Sequence, residues 1–293
     1  MGGISYLRAV EYRAFTPGRH LVVLARIHGN EGCGADGTER IMREIDSGEL
    51  TLSGGRLTLV PCCNPSAKNL NQRFIDKNLN RVFRHSRSPK SYEEHLANNL
   101  IAMIGKPDFL LDLHSFHTSG KRPVTFAVRA GRDQLTGHVK ARLPVDFCLN
   151  GWREVQSAFG RPESFSTIDH AQEIGVPAIG VECGQHEAAS SKRVAYGCIR
   201  EVMAELGICD LGPTKRRNKI PSDVVFKYLR PYEKGATFSK VWREFDPVKK
   251  GAVIGRLASG EPVLAPVAGR MLFPHPNAVP GEEWFYIAEE AKP

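Results

Sequence analysis

Between Phe109 and Leu113 the chain runs Phe-Leu-Leu-Asp-Leu, with no alternation of apolar and polar residues, and then stops at His114-Ser115. Such a run is typical of a central strand in a parallel sheet, covered by helices on both faces. Apolar runs of the same type occupy 20–27, 56–63 and 176–182, and a further strand is expected at 123–129. Helical patterns fall between them at 35–45, 91–105 and 187–206. The second of these is opened by Ser91 or Tyr92, with Glu93 and Glu94 in its first turn. Strands alternating with helices predict an α/β domain, with a mostly parallel mixed sheet flanked by helices.

The texture changes near 207–222, where Gly207, Gly212-Pro213, a basic cluster and Pro221 follow one another. Beyond lie short β-type runs at 224–229, 251–257, 262–264, 269–273 and 284–288, punctuated by Gly and Pro. The expected organisation is a main domain over 1–212, a linker at 213–221 and a small C-terminal all-β domain over 222–293, which suits a chain of 293 residues. The segments 247–255 and 263–269 resemble the scaffold of barrel-sandwich carrier modules. They lack the exposed hairpin lysine of those modules, which argues against a carrier role.

Composition removes several classes of function. No apolar run approaches the roughly 20 residues that span a bilayer, and the first residues show no basic segment followed by an apolar one. A cytoplasmic protein with no membrane partner is the expectation. The seven cysteines are scattered, with no Cys-x-x-Cys pair, so reduced and mostly buried thiols are expected. A net charge of +8 raises the question of nucleic acid. The only dense basic cluster, Lys215-Arg216-Arg217-Asn218-Lys219, has no interleaved aromatics and reads as a solvated linker. Nucleic acid is therefore not an expected partner, whereas a positive field still draws in a small acidic substrate.

The chemistry collects where the strands end. His28-Gly-Asn-Glu31 leaves the first long apolar run, His114 leaves the central one and Glu182 closes another. In open α/β sheets ligands bind at the carboxyl ends of the strands. Each residue alone has a plain explanation: a turn histidine, a carboxylate at a helix start, a core histidine, a surface acid. Their joint placement at one sheet edge is harder to dismiss. An imidazole and a carboxylate three residues apart, joined by one further histidine, make the protein half of a catalytic zinc site. The polar stretch 69–87 is too long and too rich in Arg and Asn to be an ordinary connection.

Taken together, His28-Gly-Asn-Glu31, Asn64-Pro65, Arg73-Phe-Ile-Asp-Lys-Asn-Leu-Asn-Arg81, Asp112-Leu-His-Ser115 and Val181-Glu-Cys-Gly184 resemble the succinylglutamate desuccinylase/aspartoacylase family, a branch of the zinc carboxypeptidase-like hydrolases. The resemblance covers about 20–210 and is looser beyond 222. It implies one zinc ion per chain, held by His28, Glu31 and His114, and Glu182 as general base. It implies that Arg73 polarises the scissile carbonyl, and that Asn80 and Arg81 hold a substrate carboxylate. Arg suits that task because its planar fork meets a carboxylate with two parallel hydrogen bonds. Tyr286 matches the family's C-terminal tyrosine contact. Asp112 reads equally as a support for His114 or as a structural residue, and nothing assigns His117 as a ligand.

One departure bears on substrate. Aspartoacylases carry an Arg about ten residues before the general base, where this chain has Asp169-His-Ala-Gln172-Glu. His170 or Gln172 would have to serve there. The resemblance implies a zinc-dependent amidohydrolase that deacylates a small acidic N-acyl amino acid, of the N-succinylglutamate or N-acetylaspartate type. The rivals are a zinc carboxypeptidase-type peptidase and, from another class, a non-catalytic zinc- or carboxylate-binding protein. The intact Glu182 and Arg73 argue against the latter, since binding alone needs neither. The oligomeric state is left open, a homo-oligomer included.

Overall fold

The computed structural model describes residues 6–118, 126–130 (backbone alone), 133–160, 163–211, 221–280 and 282–291. The basic cluster at 215–219 and nearly all of the expected linker lie outside the described residues. The N-terminal elements are β1 (Val10–Arg13), β2 (His20–Ala25), α1 (Cys33–Asp46), β3 (Arg56–Val60), α2 (Pro65–Asn69), α3 (Tyr92–Ile104) and β4 (Phe109–Phe116). Next come β5 (Phe126–Ala130), α4 (Gln134–Arg142), β6 (Phe147–Asn150), α5 (Trp152–Ala158), α6 (Thr167–Glu173), β7 (Ala178–Gln185) and α7 (Ala189–Glu205). The C-terminal strands are β8 (Ser222–Pro231), β9 (Thr237–Phe238), β10 (Pro247–Val248), β11 (Val253–Arg256), β12 (Pro262–Leu264), β13 (Gly269–Leu272) and β14 (Glu283–Glu290).

An eleven-stranded sheet runs β1-β3-β2-β4-β7-β5-β6-β8-β14-β13-β10. It is parallel from β3 through β2 and β4 to β7, and again from β5 through β6 to β8. Antiparallel pairs join β1 to β3 and β5 to β7, and the strands beyond β8 are antiparallel too. The expected α/β architecture with a mixed sheet is therefore present.

Period-two geometry explains how one apolar run serves two cores. Leu21 and Val23 of β2, with Leu111 and Leu113 of β4, face Ile41 of α1 and Cys198, Ile199 and Val202 of α7. Val22, Leu24 and Leu110 point the other way, onto Leu96, Ala97 and Leu100 of α3. Every residue of β2 and β4 is buried. Truncating Leu111 to Ala would cost about 2–5 kcal/mol, since the close-packed surroundings collapse only in part.

The sheet does not stop where the C-terminal segment begins. β8 lies parallel beside β6, so the C-terminal strands extend the main sheet. A separate three-stranded sheet, β12-β11-β9, caps them, and Phe238 stacks on Trp284 at 4.6 Å between ring centres. The C-terminal β region thus hangs on the same scaffold as the strand ends that carry His28, His114 and Glu182.

Candidate active site

The chain leaves β2 through Arg26, which holds a left-handed φ of 52° and donates from Nη1 to the Gly29 carbonyl at 2.6 Å. This tight turn swings His28 and Glu31 under the end of the sheet. Gly29 is required there, because a Cβ would come within 2.2 Å of the Ala67 and Lys68 backbone. His114 lies inside β4 rather than after it, and Glu182 lies inside β7. The two are register partners in the parallel ladder, so their side chains leave the same face of the sheet.

His28, Glu31 and His114 are all buried, and their ligand atoms lie within 4.8 Å of one another. His28 Nδ1 is 2.8 Å from Glu31 Oε1, and His114 Nδ1 is 2.9 Å from Glu31 Oε2. The outer nitrogens decide the tautomers. His114 Nε2 faces Asp112 Oδ2 at 2.8 Å, and His28 Nε2 faces Asn78 Oδ1 at 3.0 Å. Both partners accept, so each Nε2 carries a proton, which leaves each Nδ1 as the nitrogen that would meet a metal beside the carboxylate. Two imidazole nitrogens and a carboxylate facing one another make a cradle for a cation. The donor set of two imidazoles and one carboxylate fits zinc with a position left open.

Burial works to lower the His114 imidazole, but the Asp112 and Glu31 carboxylates beside it raise it well above its ordinary value. Burial holds the His28 imidazole down, at about 4. Burial works to raise the Glu31 carboxyl, but His28 and His114 beside it hold it well below the usual range. Burial pushes the Glu182 carboxyl up, to about 7, and its Oε2 is buried with no hydrogen-bond partner. A carboxyl tuned near neutrality can both accept and return a proton.

The stretch between α2 and α3 is ordered by one buried acid. Glu93 accepts from the backbone N–H groups of Ile75, Asp76 and Lys77 at 2.7, 3.0 and 3.0 Å, and from Asn64 Nδ2 at 3.3 Å. That anchor sets Arg73 beside the His28–Glu31–His114 cluster, with Nη1 2.7 Å from Glu31 Oε1. Arg81 turns toward the C-terminal strands. Its Nη2 and Nε lie 2.7 and 3.1 Å from Glu283 Oε1, and its guanidinium sits 5.0 Å from the Trp152 ring centre.

Two cavities meet here. The larger, about 350 Å³, is bordered by His28, His114, Asn80, Arg153 and Gln172. The smaller, about 70 Å³, is bordered by Glu31, His117 and His275. Arg73, Arg81, Trp152 and Glu182 line both.

Comparison with known proteins places this arrangement. Residues 17–198 match the succinylglutamate desuccinylase/aspartoacylase catalytic domain. The chain belongs to the succinylglutamate desuccinylase/aspartoacylase family. It is 24% identical over 201 residues to succinylglutamate desuccinylase of Vibrio parahaemolyticus, covering 64% of this chain and 57% of that one. It is 38% identical over 170 residues to the enzyme of Pseudomonas paraeruginosa, covering 55% and 42%. The chain thus spans about half the length of the curated relatives it matches. Among solved structures, the Vibrio parahaemolyticus desuccinylase superposes with a TM-score of 0.74 at 17% identity, covering 99% of this chain and 93% of that one. The ectoine utilization protein EutE of Ruegeria pomeroyi gives 0.70 at 19%, covering 96% and 88%. At these identities the structural likeness speaks for the fold.

Within this desuccinylase/aspartoacylase frame, the structure brings His28, Glu31, His114, Arg73 and Glu182 together. Asn80 lines the larger cavity, but its Oδ1 already accepts from the Thr167 N–H at 3.0 Å. Arg81 does not offer a free fork, because Glu283 holds it. Tyr286 is buried at the edge of the smaller cavity, and its hydroxyl accepts from Gln156 Nε2 at 2.9 Å. Gln172 does line the larger cavity, whereas His170 packs edge-on against Phe83 at 5.7 Å. Glu93, Asn78, Trp152 and Glu283 escaped the sequence reading. For Glu93 a signal was present, an acid in the first turn of the helix that follows the arginine stretch, but nothing in the sequence aims it at that stretch.

Proposed function

We propose that this chain is a zinc-dependent amidohydrolase that removes the acyl group from a small acidic N-acyl amino acid. The observation that carries the reading is the pair of imidazole Nδ1 atoms converging on Glu31, beside the unpartnered carboxylate oxygen of Glu182. His28, Glu31 and His114 would hold one zinc ion. When bound, zinc polarises a carbonyl and brings the pKa of water from about 15.7 toward about 7.

The chain's own residues supply the rest. Arg73, fixed by Glu31, stands at the junction of the two cavities to bind the carbonyl oxygen and the negative charge it gains as water adds. Losing such a contact costs about 2.7–4 kcal/mol, or 10²–10³ in rate. Glu182 takes the proton of the attacking water and returns it to the departing nitrogen as the carbon–nitrogen bond breaks. The products are a carboxylic acid and a free amino acid.

The test is a panel of N-acyl amino acids offered to the zinc-loaded protein, with and without chelator. Chelator-sensitive release of equal amounts of acid and amine is expected. Release of C-terminal residues from peptides instead, or no hydrolysis across the panel, overturns the proposal.

A further inference from the structure

Resting on that deacylase reading, we infer that Arg153, at the start of α5, is a specificity-determining residue that grips a carboxylate of the substrate's amino acid. Three guanidinium groups border the larger cavity, those of Arg73, Arg81 and Arg153. Two are already engaged by the protein's own acids. Arg73 sits on Glu31 at 2.7 Å. Arg81 sits on Glu283 at 2.7 and 3.1 Å, and its Nη1 donates to the Asn80 carbonyl at 2.8 Å. Arg153 is exposed on the cavity wall and makes no ion pair or hydrogen bond among the described residues.

The fold holds Arg153 in this place through its neighbours. Gly151, between β6 and α5, has a left-handed φ of 80°, and a Cβ there would meet Val225 Cγ1 at 3.2 Å. Trp152 stacks on Tyr286 with ring centres 5.3 Å apart, and Gln156 Nε2 donates to the Tyr286 hydroxyl at 2.9 Å. Positions 152 and 156 share one face of the helix, which is thereby pinned to β14. Arg153 is turned about 100° away from that face, so packing against the C-terminal strands does not consume it.

Neither His170 nor Gln172 takes this role. Burial lowers the His170 imidazole, which packs against Phe83, and Gln172 carries no charge. The acids of the same wall do not cancel Arg153 either. Asp169 is engaged in the cap of α6, where it accepts from the Ser166 N–H at 2.9 Å and the Ser166 hydroxyl at 2.7 Å. Glu154 is the next residue along the helix, and adjacent helical side chains do not face each other.

Arg73 and Glu182 border both cavities, so an amide reacting between them extends one end into each. The smaller cavity, about 70 Å³, fits a short acyl group and leaves the amino acid to the larger, about 350 Å³. There the amino acid meets one guanidinium with its donors unclaimed, and that planar fork binds a carboxylate through two parallel hydrogen bonds. Using Arg81 instead would break an ion pair whose side chains are only 14% and 13% exposed.

The experiment measures kcat and KM of the zinc-loaded protein for N-acetylglutamate, its α-amide (N-acetylisoglutamine) and its γ-amide (N-acetylglutamine). Hydrogen bonds to charged groups are the strong ones, so Arg153→Met should lower kcat/KM for N-acetylglutamate about tenfold or more, through KM rather than kcat. For the amide that has lost the gripped carboxylate, variant and wild type should agree within about twofold, which tells the α-carboxylate from the γ-carboxylate. Arg153→Lys keeps the charge without the fork and should recover part of the loss. A loss of the same factor for all three compounds, or no loss for any, overturns the role of Arg153 while leaving the deacylase reading intact. Release of acetate from none of the three by the wild-type protein overturns both.

Discussion

Asp112 Oδ2 lies 2.8 Å from Nε2 of His114, two residues further along β4, and both side chains are buried. The carboxylate accepts the imidazole proton and so leaves the opposite nitrogen for the proposed zinc ion. Thr167 Oγ1 donates to the same carboxylate oxygen and holds it in place. Asp112→Asn could donate instead of accept, which would reverse the tautomer. Removing such a partner typically costs 10–100-fold in metal affinity. A zinc dissociation constant weakened by about that factor is expected from competition with a chelator; an unchanged constant would show that Asp112 is structural only.

Glu93 organises the approach to Arg73. Its carboxylate collects three backbone N–H groups from 75–77. Glu93→Ala leaves those donors without their acceptor, at about 1–3 kcal/mol for each that stays dry. Both the melting temperature and kcat/KM should fall, and Glu93→Gln should restore part of each. A full melting temperature in the alanine variant would contradict this role.

Glu244 gives a pH signature in stability. Burial raises its carboxyl from 4.5 to about 8 in the folded protein. The folded state therefore keeps a proton that the unfolded chain gives up. This contribution is fully present below about pH 4.5 and is lost progressively as pH rises toward about 8, by up to about 1.4 kcal/mol per pH unit. Glu244→Gln stays neutral throughout, and the Thr118 hydroxyl can turn to accept from the new amide. Urea unfolding at several pH values should show the variant gaining on the wild type between pH 5 and 8. A constant difference would contradict the shift.

The central sheet was legible because β2, β4 and β7 are buried along nearly their whole length, and full burial leaves an unbroken apolar run. The placement of His28, Glu31 and His114 at one sheet edge was legible for a related reason. A parallel sheet puts its strand ends on one edge, so residues distant in sequence share a location once the strands are known. The segment from α4 through α6 was not readable. β6 has four residues, α5 and α6 have seven each, and α4 buries only Thr136, Val139 and Lys140, so none carries a sustained period. Trp152, which lines both cavities, was lost with it.

The extension of the sheet through β6 and β8 was also hidden, because the period of a strand does not name its neighbour. The same limit applies to Arg81 and Glu283, which are 202 residues apart in sequence. The family pattern marks Arg81 as a carboxylate clamp, and no local feature announces the carboxylate already seated on it.

The most direct test of the account is Glu182→Gln, with zinc content and deacylation measured on the same preparation. Glutamine keeps the size of the side chain but cannot shuttle the proton, and Glu182 is not among the proposed ligands. The variant should bind one zinc ion as tightly as the wild type and lose about 10²–10⁴-fold or more in turnover. A zinc-loaded variant that deacylates at close to the wild-type rate would contradict the mechanism at its centre.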